Sequence, residues 1–130
     1  MKRLLITMLI LLFPTVLSAG EKTLEFQWGQ VISDDFAGWH LYMSTSPNVQ
    51  VVPANLFTTI LYTGPEQQEY ASSQVITSPN NQEITYYFIL TAFDNEVPLN
   101  ESGPSNEVSQ LIDFLAPDNP FTLTVTVVTE

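Results

Sequence analysis

Carboxylates, hydroxyls and one imidazole are the groups in this sequence with the means to do chemistry, and spacing limits each of them. Asp34 and Asp35 are adjacent. Neighbours on an extended chain point to opposite faces, so beside Ser33 the pair reads as solvated loop rather than as an acid–base couple. Asp94, Asn95 and Glu96, with Asn100 and Glu101, gather oxygen ligands in one short segment, as calcium requires. Their spacing follows no calcium-loop pattern, and the segment reads first as a connection between strands. His40 is the single histidine and the chain has no cysteine. Multi-histidine metal centres, thiol catalysis, cysteine-ligated zinc and disulfides are thereby excluded. There is no glycine-rich phosphate loop and no nucleophile elbow. The expectation is a non-enzymatic protein with no catalytic, cofactor or metal site.

Charge narrows the partners. Fourteen acidic residues face three basic ones, for a formal net charge of −11. Two of the basic residues, Lys2 and Arg3, sit at the N-terminus. Nucleic acid is excluded as a partner, because binding to it rests on lysine and arginine displacing counterions. Anionic membranes are disfavoured for the same reason. With 45% apolar residues and 12% aromatics the chain can fill a core.

The first nineteen residues have the layout of a secretory signal. A short basic start is followed by an apolar run over residues 4–13, then Pro14 and the small residues Ser18, Ala19 and Gly20, any of which offers a cleavage position. The apolar run is shorter than the roughly 20 residues a membrane-spanning helix needs. The product is expected outside the cytoplasm, secreted, extracellular or periplasmic, with no membrane attachment after the signal is removed.

Beyond the leader the period is two. Leu24, Phe26 and Trp28 alternate with Glu25 and Gln27, as in a strand with one buried face. Residues 38–43 form a second candidate strand, with Trp39, Leu41 and Met43 on one side and His40 and Tyr42 on the other. Further candidates span residues 57–63 and 69–77. Residues 84–93 read as the central strand, since Ile84, Tyr86, Phe88 and Leu90 line one face while Tyr87, Ile89 and Phe93 make the other apolar too. Residues 105–112 make the last conventional strand. Turn formers separate these runs and no helical period intervenes, so the fold class is all-β, an antiparallel sandwich or barrel. The expected core comprises Phe26, Trp28, Trp39, Leu41, Tyr86, Phe88 and Leu90.

Four stretches, taken in order, resemble the fibronectin type III family. Residues 24–28 are similar to its second strand, and Ala37-Gly38-Trp39-His40-Leu41-Tyr42 to its third. Residues 85–94 are similar to its sixth strand, and residues 100–109, around Ser102-Gly103-Pro104-Ser105, to its last loop and strand. The resemblance spans residues 23–112 and implies an immunoglobulin-like Greek-key sandwich in which Tyr86 forms a tyrosine-corner hydrogen bond. It implies domain limits of residues 1–19 for the signal, 20–115 for the sandwich and 116–130 for a proline-containing linker and an extra C-terminal strand. The family's first strand is missing, and a longer segment over residues 76–83 replaces the family's turn before the sixth strand.

The tail is the unusual part. Phe121, Leu123, Val125 and Val127 alternate without fault with threonine, a pattern that exposes one apolar face if left unpaired. Three arrangements are open: docking on its own sandwich, remaining free, or donation to a neighbouring copy. The family's architecture implies that a tail folding back would run parallel to residues 24–28 and cross between the layers, whereas a donated one can take the direction of the missing strand. The expected function is a secreted binding or structural module acting through protein or surface contacts. Two alternatives are a fibre subunit that self-associates through this strand, and a carbohydrate-binding module using surplus aromatics such as Tyr42, Tyr62, Tyr70 and Tyr87 on a surface glycan.

Overall fold

The segment with the strongest apolar period, residues 84–93, also sits inside its sheet, paired on both sides. The computed structural model describes residues 20–78 and 81–129, so the predicted secretory signal lies outside the described residues. Within them are β1 (Gly20–Trp28), β2 (Phe36–Ser44), β3 (Leu56–Leu61), β4 (Tyr70–Ser78), β5 (Glu83–Asp94) and β6 (Val108–Asp113), plus a 3-10 turn at Pro53–Asn55. The fold is all-β. A four-stranded sheet runs β3-β2-β5-β6 and a two-stranded sheet pairs β1 with β4, every pairing antiparallel.

The two sheets meet over one core. Leu41 from β2, Ile76 from β4, Tyr86 and Phe88 from β5 and Ile112 from β6 are buried together, and Leu24 and Phe26 of β1 pack against them. Phe26 meets the Phe88 ring edge-on at 4.9 Å, a favoured aromatic geometry. At one end Trp39 touches Trp28, Phe36 and Tyr70, all at centroid separations near 5 Å. The Tyr86 hydroxyl donates to the Thr77 carbonyl at 3.2 Å, which ties β5 to β4 across the layers. Both faces of β5 are apolar and covered, and on the second Ile89 is buried with Tyr42 and Val49. Gly38 lets β2 and β3 approach, since a Cβ there would collide with the Ile60 carbonyl.

Two expectations are corrected. The last strand begins at Val108 rather than at residue 105, because serine hydroxyls take over the ladder. Leu90 N–H donates to Ser105 Oγ and Ala92 N–H to Ser102 Oγ, at 2.9 and 2.8 Å, flanking Pro104, which has no N–H to offer. The extra C-terminal strand is absent among the described residues: residues 114–129 form no ladder. Phe121, Leu123, Val125 and Val127 are 90%, 97%, 94% and 90% exposed. Alternation specifies which side chains would share a face, but a strand exists only where another chain segment completes its hydrogen bonds.

Candidate functional site

β1 pairs with β4 along its whole length, and among the described residues nothing pairs with its other edge. Its inward side chains, Leu24, Phe26 and Trp28, are half-buried, while Thr23, Glu25 and Gln27 face water. The opposite wall is β6, itself an edge strand. Between the two edges lies a cleft of about 110 Å³ whose apolar lining includes Phe26, Trp28, Leu41, Phe88, Leu90 and Val108. It continues toward Thr23 and Gln110 as a wider groove of about 410 Å³. The site is therefore an unpaired strand edge beside an apolar slot, with the means to accept an extended chain by backbone hydrogen bonding.

The residues expected in the core divide accordingly. Trp39, Leu41, Tyr86 and Phe88 are buried, whereas Phe26, Trp28 and Leu90 remain half-buried. All three of the half-buried ones line the cleft: Phe26 and Trp28 because β1 has one neighbour and covers its inward side chains from one side only, and Leu90 because it lies on β5 facing that open side. The Trp28 indole Nε1 is enclosed and has no acceptor among the described residues.

On the outer face of the four-stranded sheet the sequence reading missed a polar cluster. Glu101 accepts from the Tyr42 hydroxyl at 2.6 Å and lies 2.9 Å from His40 Nδ1. The His40 ring stacks on Phe93 at 4.3 Å. Burial, reinforced by the Glu101 carboxylate, pushes the Tyr42 hydroxyl up to about 12. Burial would raise Glu101, but hydrogen bonds from Tyr42 and His40 outweigh it and hold that carboxyl below its ordinary value. Nearby, Glu107 accepts from the Asn48 and Val49 backbone N–H groups. These contacts fasten loops over the outer face.

Asp35 and Asp94 are tied into their own loops. Asp35 accepts from the Ser33 hydroxyl. Asp94 accepts from the Asn100 side chain and from the backbone N–H groups of Glu96 and Asn100, which fills its oxygens with contacts inside its own loop and holds its carboxyl low. Among the described residues no three His, Asp or Glu side chains are grouped to hold a metal ion, and no helix is long and apolar enough to cross a membrane. Tyr42, Tyr70 and Phe93 are buried, and Phe57, Tyr62 and Tyr87 are half-buried. None of these six aromatics is fully exposed. Compared with family models, curated proteins and solved structures, the chain finds no match.

Proposed function

We propose that this chain is an exported, non-enzymatic binding module, a Greek-key sandwich of fibronectin type III type, which works by accepting an extended segment of a protein partner along β1. The observation that carries this reading is the unpaired edge of β1 beside an apolar cleft. Backbone N–H and C=O groups at an open edge attract any extended chain, and pockets for alternate side chains supply selectivity. Two antiparallel sheets packed over one core support the sandwich part of this reading. The signal-like leader and the strong negative charge support an extracellular protein partner over nucleic acid or membrane.

The test uses full-length chain carrying Leu123→Asp and Val125→Asp, which leaves the cleft to added ligands. Seven-residue peptides alternating apolar residues with threonine are titrated in, with serine replacing the apolar residues in controls. Saturable binding of the apolar series, with amide protection appearing in β1, is expected. Heat-free titrations across the whole series at millimolar peptide would refute the reading.

A further inference from the structure

We infer that the occupant of the β1 edge is the tail of a second copy of this chain, inserted antiparallel to β1, so that copies link head to tail. The inference rests on the reading of β1 as a strand acceptor and names its partner.

Pattern is the first support. Extended, residues 121–127 would place Phe121, Leu123, Val125 and Val127 on one face and threonines on the other. Laid beside β1, the apolar set would continue the inward row of Leu24, Phe26 and Trp28, and the threonines would join Thr23, Glu25 and Gln27 in water. The lengths agree: seven residues span roughly 20 Å and residues 23–28 roughly 17 Å at about 3.3 Å per step. No charged residue falls within residues 121–128, so the insertion buries no unpaired charge.

Reach is the second support, and for antiparallel pairing it separates another copy's tail from the chain's own. The end of β6 lies against the start of β1, where Phe114 fills the space beside Gly20 and lies under the Lys22 ammonium group, 5.4 Å from its ring centre. The start of β6 lies by the Trp28 end, where Trp28, Asn106 and Val108 share the cleft. β6 and β1 therefore run in opposite directions. To pair antiparallel with β1, a tail must enter at the Trp28 end. The chain's own tail is held at the other end, because Phe114 exchanges backbone hydrogen bonds with Asn81 and Gln82 and the Ala116 N–H donates to Asn81 Oδ1. From Ala116 to Phe121 the chain can extend at most roughly 18 Å, whereas β1 from Gly20 to Trp28 is roughly 26 Å long. Its own tail falls short. A tail arriving from a neighbour has no such tether, and the contact it makes is between two different surfaces, which repeats along a chain of copies wherever the rotation does not close on itself.

The experiment measures mass by light scattering on the exported full-length chain over a hundredfold range of concentration. It is repeated with Leu123→Asp/Val125→Asp, which alters only exposed side chains. Because the chain lacks cysteine, two single variants, Gln27→Cys and Thr122→Cys, are also mixed and oxidised. A mass that climbs past the dimer, collapses to the monomer in the double variant and gives a Gln27-to-Thr122 disulfide between chains is expected. A monomer at every concentration, an assembly indifferent to the double variant, or a disulfide confined within one chain when both cysteines are placed in it, overturns the inference. Peptide binding to β1 by a chain that stays monomeric would leave the acceptor reading standing and remove only the tail as its partner.

Discussion

At Glu101 a single carboxylate holds Tyr42 and His40 in place on the outer face of the sheet, and its protonation state is linked to stability. Its folded-state value lies below the ordinary one, so the folded chain binds fewer protons in this range than the unfolded chain. The stabilisation is complete above the usual carboxylate value and is lost as the pH falls through the depressed one. Glu101→Gln should lower unfolding free energy at pH 7 by about 1–2 kcal/mol and flatten the acid limb of stability against pH, both read by urea denaturation. In the core, Phe88 is 1% exposed and carries the edge contact from Phe26. Phe88→Ala should destabilise by about 3–5 kcal/mol, measured in the same way. The polar cluster was hidden in the sequence because His40 and Glu101 are 61 positions apart. Their meeting depends on the bridge between Phe93 and Glu101, and one sequence carries no register between distant segments.

The elements differ in how openly the sequence announces them. β5 was legible because apolar residues on both faces leave a strand no place except the middle of a sheet. β2 was legible as well, down to the separation of Trp39 and Leu41 from His40 and Tyr42. The tail shows the opposite limit, since its flawless alternation fixes a face but names no partner. The start of β6 was misjudged because side-chain oxygens of Ser102 and Ser105 stand in for backbone acceptors, which periodicity does not register. Close packing of elements gives its own prediction. Gly38→Ala places a methyl against the Ile60 carbonyl, and backbone has little freedom to yield. A drop in melting temperature of roughly 4–8 °C, the shift expected for about 1 kcal/mol in a domain of this size, should follow in a thermal scan.

For the whole molecule, charge and edge oppose each other. Copies of an acidic chain repel, while on the proposed account the open β1 edge and the apolar residues 121–127 would draw them together. Added salt screens the first effect and leaves the second nearly unchanged, so assembly should grow as ionic strength rises from about 0.01 to 0.15 M, where the screening length shrinks from roughly 30 to 8 Å; sedimentation across that range checks it. Export has a separate test, in which mass spectrometry of the exported chain finds a new N-terminus following Ser18, Ala19 or Gly20. The central claim concerns β1 itself, and amide hydrogen exchange reads that strand directly. At high protein concentration the amides of residues 23–28 should become slower to exchange than in dilute solution, and Leu123→Asp/Val125→Asp should abolish the difference. Exchange in β1 that stays the same at every concentration would contradict the account.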